Sequence, residues 1–172
     1  GWKVANATLS GERQMVSGAG SGGVDRIGGL GVDHLMELAR RSGRSGDPVV
    51  RQDLMRVLSE ERIRDWTNQR VRAAVRAGAT PGPAASIGKV HQGSLNQRIQ
   101  LLATDLLGPD AAAWAEADAM PFEVKGMLRS RANTIEGGTS EVNKNILGEK
   151  VLGLPREPDP YVDVPWEEVP RS

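Results

Sequence analysis

The chain has no cysteine, one tyrosine, one phenylalanine and no net charge, and each shortage removes a class of function. Without cysteine there are no disulfides, no thiolate nucleophile and no thiolate metal ligand, a composition that fits a cytoplasmic chain. Lys plus Arg total 22 and Asp plus Glu total 22, while aromatics make up 3% of residues, so neither a basic field nor a stacking platform for nucleic acid is present. No apolar run approaches the roughly 20 residues of a membrane span, and no signal-type segment leads the sequence. No stretch alternates apolar and polar residues with the period of a strand, so strands are not expected. Gly1-Trp2 stands where a Met would open a gene product, which leads us to expect a natural start further upstream.

What is present is helical periodicity over 172 residues with 38% hydrophobic content, enough for one domain with a sizeable core. Leu9 to Arg41 reads as helical at both ends, with Val32, Leu35, Met36 and Ala39 on one face, but glycines crowd its middle. Gly18 to Gly23 fits G-x-G-x-x-G, yet no strand precedes it and no βαβ frame follows, so a flexible loop is the better reading. Asp47-Pro48 supplies an N-cap and a first-turn proline for a long helix to about Ala77, with Leu54, Leu58, Ile63, Trp66, Val71 and Val75 as its apolar face. After the Thr80-Pro81-Gly82-Pro83 breaker, Ile87, Val90, Leu95, Ile99, Leu102 and Leu106 mark another long helix, ending near Gly108-Pro109. Shorter helical segments are expected at Ala111 to Ala117, Phe122 to Ala132 and Thr139 to Leu152. The proline-rich stretch that follows suits an extended tail. The expected fold is all-α, an antiparallel helical bundle over 1–154 with an extended Pro-rich tail over 155–172.

The most specific motif is Ile135-Glu136-Gly137-Gly138-Thr139-Ser140-Glu141-Val142, continued by Asn145-Ile146 and by Glu149-Lys150-Val151-Leu152-Gly153-Leu154-Pro155. Two glycines free the backbone, Thr139 or Ser140 can cap, and Val142, Ile146 and Leu147 begin an apolar face, so the motif is a glycine turn opening a helix, where a negatively charged ligand can sit. The string resembles the terminal signature of the acyl-CoA dehydrogenases, flavoproteins that desaturate acyl-CoA thioesters between the α and β carbons. Together with Gly1-Trp2-Lys3-Val4-Ala5 and Thr8-Leu9-Ser10-Gly11-Glu12-Arg13, the resemblance covers nearly the whole chain and matches the C-terminal helical domain of that family.

The resemblance implies FAD as cofactor, an acyl-CoA substrate, electron-transfer flavoprotein as electron acceptor, and a homo- or hetero-oligomer. Many members carry the catalytic Glu immediately before the Gly-Thr of the signature. Gly137 stands at that position here, and Glu136, one residue earlier, points about 100 degrees away around a helix. A minority of isovaleryl and long-chain type place the base in a Glu-Arg pair on the first helix of this domain, and Glu12-Arg13 matches that pair. Glu12 is therefore the expected base and Glu136 the weaker candidate; without the resemblance, Glu12 reads as a solvent-facing first-turn residue. By the same likeness the Gly137 N–H donates to the thioester carbonyl, Arg13 lies on the substrate side, and Thr139 and Glu141 meet the flavin, against the plainer reading of capping alone. Gln52 falls in a segment that meets a neighbouring subunit's flavin, but Arg44-Ser45-Gly46-Asp47-Pro48 lacks the family's Phe. Asp105 replaces a family Gln, placing a carboxylate where a pyrophosphate would be repelled. These departures leave open a second reading, a structural partner subunit that has lost flavin binding. On either reading the isolated chain is expected to be inactive, because most of the site would come from absent domains.

Overall fold

The computed structural model describes residues 1, 3–5, 7–9, 11, 31–79, 85–116, 119–161 and 164–171. Glu12, Arg13, the Gly18–Gly23 segment and Thr80-Pro81-Gly82-Pro83 lie outside the described residues. Helix α1 spans Val32–Arg41, α2 Pro48–Arg76, α3 Ala85–Leu107, α4 Phe122–Ser130 and α5 Ser140–Lys150. No strand occurs among the described residues.

Local chemistry explains the main boundaries. Asp47 accepts from the N–H groups of Val49 and Val50 at 2.8 and 3.4 Å, and Pro48 occupies the first turn, where no backbone donor is missed. Gly43 and Gly78 adopt positive φ just beyond α1 and α2, the backbone state that closes a helix end. Helix α1 has no capping side chain of its own; Glu61 of α2 accepts from the Val32 N–H at 3.2 Å and supplies both the missing acceptor and a negative charge at that helix start. A Cβ on Gly31 would collide with the Glu61 carboxylate, so only glycine admits this approach without displacing it.

Helix α3 is the axis of the bundle and packs against α1, α2, α4 and α5. Arg98 pairs with Glu60 and Arg64 donates to Gln92; the two sets of numbers run in opposite directions, so α2 and α3 are antiparallel. One side of α3 is apolar. Leu95, Ile99, Leu102, Ala103 and Leu106 meet Val32, Leu35, Leu38 and Ala39 of α1 and Val50 and Val57 of α2 in a single core. Its other side, toward α4 and α5, carries buried amides instead.

Two expectations are corrected. The apolar face read along α2 is buried only in its first half. Leu54 and Leu58 are partly buried and Val71 is half-buried, but Trp66 is 60% exposed and Ile63 and Val75 are also exposed, and none of these last four belongs to the apolar core. The helix expected at Ala111 to Ala117 is absent over 112–116; only a 3-10 turn, Gly108–Ala111, follows α3. Gly108 takes φ +62° and Pro109 interrupts the bonding, and the short stretch beyond, with Trp114 half-buried outside any helix, is too brief to hold a helix by propensity. The segment expected over Phe122 to Ala132 is α4 followed by the 3-10 turn Arg131–Thr134.

Leu95→Ala, in the fully buried layer of α3, is expected to lower unfolding free energy by about 3 kcal/mol. Trp66→Ala in the same chain should change it by less than about 0.5 kcal/mol. Urea titration of both variants checks the contrast, and equal losses would show that the distal part of α2 belongs to the cooperative core.

Candidate functional site

The glycine turn joins the 3-10 turn after α4 to the start of α5. Gly137 and Gly138 have φ of +65° and +84°, so both need the freedom only glycine gives at little cost. Thr139 is the N-cap of α5, its hydroxyl accepting from the Val142 N–H at 3.3 Å. Gly137 is buried, Thr139 and Ser140 are half-buried, and Glu141 is exposed in the first turn. The Glu141 carboxyl is held below its ordinary value of 4.5, first by its own backbone N–H and then by the Thr139 hydroxyl.

The turn is braced from two sides. Glu136, the weaker candidate for the base, is a structural carboxylate: Arg129 donates to its two oxygens at 3.0 and 2.9 Å, and Asn133 Nδ2 donates to Oε1 at 3.1 Å. Both oxygens are occupied by donors, so the side chain is held as a brace between Arg129 and Asn133. Beneath the turn, Asn143 is 0% exposed, and its Nδ2 faces the carbonyls of Gly137, Gly138 and Thr139 at 3.5, 3.0 and 3.0 Å.

The brace is anchored to α3 through Asn133. The Asn133 carbonyl accepts from buried Lys89, and its Oδ1 accepts from Asn96 Nδ2 at 2.7 Å. Gln100 donates in turn to Asn96 Oδ1 at 3.2 Å, and Gln97 donates to Ser130 O and Thr134 Oγ1, both at 3.3 Å. Gly93 makes this seam possible, since a Cβ there would lie 3.0 Å from the Asn133 carbonyl oxygen. Sequence reading missed Asn133, Asn143 and Arg129. The available signal was Asn143 inside a helix, where asparagine is a weak helix former and so calls for a specific bond.

The structure brings Gly137, Thr139 and Glu141 together at the start of α5. Gln52 lies elsewhere, on the wall of an open cleft of about 430 Å³ between α1 and α2, lined by Met36, Leu54, Met55 and Leu58 with Arg40 and Arg51. Glu12 and Arg13 lie outside the described residues. At the end of α1, Arg44 donates to the Asp105 carboxylate at 2.8 Å and to its backbone carbonyl at 3.1 Å, and it also pairs with Asp47 at 3.6 Å. The hydrogen bond to Asp105 is the main cause raising the Arg44 pKa still further above its usual range. The carboxylate that replaces the family Gln thus has an internal cation beside it. His34 contacts Glu123 at 3.0 Å, tying α1 to α4, and burial lowers the pKa of half-buried His91. No group of three or more metal-ligating side chains occurs among the described residues. No helix among them is long and apolar enough to cross a membrane.

The family model of the acyl-CoA dehydrogenase C-terminal domain matches residues 1–152. Acyl-CoA dehydrogenase IpdE1 of Mycobacterium tuberculosis is 31% identical over 163 residues, covering 91% of this chain and 39% of the relative. IpdE1 of Mycolicibacterium smegmatis is 31% identical over 166 residues, with 91% and 38% covered. Among solved structures, a variant of the Tcur3481-Tcur3483 steroid ACAD superposes with a TM-score of 0.69 at 24% identity, covering 91% of this chain and 41% of that one. The ChsE4-ChsE5 complex from Mycobacterium tuberculosis gives 0.64 at 23% identity, with 91% and 42% covered. At these identities the solved structures speak for the fold alone. The chain belongs to the acyl-CoA dehydrogenase family and has the fold of its C-terminal helical domain. It spans about two fifths of the length of the curated relatives it matches.

Thr139→Ala removes the α5 cap and one donor to Glu141. We expect a loss of about 1 kcal/mol in stability at neutral pH and a rise of the Glu141 pKa toward 4.5, followed by thermal melts and NMR titration. The sign follows from the depressed folded value: the Glu141 contribution is complete above its unfolded pKa and is lost as pH falls through the folded one. The variant and the parent should therefore lie closest in stability at acid pH, and a gap that widens on acidification would contradict the assignment.

Proposed function

We propose that this chain is the C-terminal part of an FAD-dependent enzyme that introduces an α,β double bond into an acyl-CoA thioester. The observation that carries the reading is the turn at Gly137 and Gly138, braced at the start of α5 in a chain of this family. Glu12 takes the α proton as the Cα–H bond breaks, with Arg13 beside it on the substrate side. The Gly137 N–H faces the thioester carbonyl and stabilises the enolate-like charge that develops there. Thr139 and Glu141 hold the polar part of the cofactor at the α5 N-terminus, and Gln52 meets the flavin of a neighbouring subunit. FAD supplies the acceptor for the hydride that leaves the β carbon, and electron-transfer flavoprotein is the proposed acceptor of its electrons.

The residues at the turn fit such a cofactor. The first turn of α5 offers backbone donors and a positive helix end to the polar part of the cofactor. Oligomerisation, homo- or hetero-, belongs to the same proposal; ChsE4-ChsE5, whose fold this chain shares, is a complex of two components.

One observation favours the alternative of a partner subunit without flavin: Arg44, the cation nearest the departures from the family pattern, is engaged by Asp105 and Asp47 within the chain. A phosphate contact from Arg44 would have to displace a carboxylate already in place.

The full-length protein should purify with a flavin absorption band, and Glu12→Gln should abolish turnover while the flavin stays bound. Colourless protein that FAD does not reconstitute would leave only the partner-subunit reading, and an active Glu12→Gln enzyme would remove Glu12 from the chemistry. Asp105→Asn removes the carboxylate that would repel a pyrophosphate and one of the two that Arg44 pairs with, and should tighten FAD binding by about tenfold, the size of one charge-assisted hydrogen bond. Unchanged affinity would assign the Arg44–Asp105 pair to packing between α1 and α3 alone.

A further inference from the structure

We propose that Asn143 is a positioning residue that aims the backbone donors of the α5 turn at the phosphate-bearing part of the cofactor. The inference rests on the FAD reading above. A trans peptide is planar, with its C=O and N–H pointing in opposite directions. Asn143 Nδ2 draws the carbonyls of Gly137, Gly138 and Thr139 inward toward one point, and no peptide among the described residues is cis. The N–H groups of the next residues, Gly138, Thr139 and Ser140, are thereby turned away from Asn143, to the outer side of the turn. The Thr139 and Ser140 N–H groups open α5 and have no carbonyl a helical turn earlier to bond, and the Gly138 N–H precedes them in the turn. The Thr139 carbonyl also accepts from the Asn143 backbone N–H at 3.0 Å, the first helical bond of α5, so the side-chain amide sets the direction of two consecutive donors, the Gly138 and Thr139 N–H groups.

The orientation of that amide is fixed by its surroundings. Three carbonyls are acceptors only, so they require the nitrogen and reject the oxygen. The cost falls on Asn143 Oδ1, which is buried and has no hydrogen-bond partner among the described residues. An apolar side chain of similar size would spare that oxygen but leave the Gly137 and Gly138 carbonyls without their donor, so the position is held for the carbonyls it receives. The Gly138 backbone approaches the Asn143 nitrogen so closely that a Cβ would lie 3.2 Å from it, which ties the second glycine of the motif to the same device. The Gly137 N–H belongs to the peptide whose carbonyl is that of Glu136, outside the reach of Asn143. Asn143 thus governs the cofactor side of the turn and leaves the thioester side to the Glu136 brace.

The test measures binding to the full-length apoprotein by calorimetry, with FAD and with lumiflavin, which carries the ring system without phosphates. Asn143→Leu removes the donor, and Asn143→Asp keeps the volume while presenting only acceptors to the carbonyls. Both should weaken FAD by at least about tenfold and leave lumiflavin unchanged, with far-UV circular dichroism like the parent's. If the parent binds FAD and both variants match it, or if both ligands weaken together, the inference is overturned and the FAD reading stands. Loss of folding in both variants makes Asn143 a residue of the bundle alone and also overturns it. A parent that binds neither flavin removes the FAD reading itself, and the inference with it.

Discussion

The hydrogen bonds of Asn133 are what the polar half of the molecule depends on. Its carbonyl and its side-chain oxygen receive Lys89 and Asn96 from α3, and its side-chain nitrogen reaches Glu136 at the entry to the glycine turn. A buried amide saturated in this way can bond only in one register. It fixes how far along α3 the segment from α4 to α5 can sit, and so where Gly137 and Thr139 are placed. The apolar half, where α1 and α2 meet the other face of α3, tolerates repacking of its aliphatic side chains far better than this seam tolerates a shift.

The division of α3 into an apolar and an amide face separates stability from function. Leu95, Ile99, Leu102 and Leu106 hold the core, and Lys89, Asn96, Gln97 and Gln100 hold the candidate site at a fixed height above it. The site is thus a five-residue turn, Ile135 to Thr139, held between helical elements. Glu136 illustrates the economy of the arrangement: the carboxylate nearest the catalytic position of the family signature is a brace, with its charge taken up by Arg129 and its geometry by Asn133.

The parts of the fold legible in the sequence are those set by local chemistry. The start of α2 follows from Asp47-Pro48, the end of α3 from Gly108-Pro109, and the start of α5 from Thr139 after two glycines. The run of alanines after Asp110 looked helical because alanine has the highest helix propensity, but propensity without burial does not hold a short helix. The exposed distal half of α2 was misread for the opposite reason: its periodicity is real, yet periodicity cannot tell which neighbour covers a face. Of the site, the turn and its cap were legible, whereas Asn133, Asn143 and the Arg129–Glu136 pair were not, because their significance arises only when α3 and α5 come together in space. The Arg44–Asp105 pair belongs with these, since 61 positions separate its partners.

Helix α1 borrows its N-terminal cap from Glu61 of α2. With ten residues it is shorter than the length at which a helix persists alone in water. It therefore exists only where α2 already lies beside it, and the first turn of α1 unravels whenever that contact opens. The cleft between α1 and α2, with Gln52 on its wall, inherits this dependence. Its shape is a readout of helix docking, so protection of the Val32 amide from hydrogen exchange and the integrity of the cleft should rise and fall as one event.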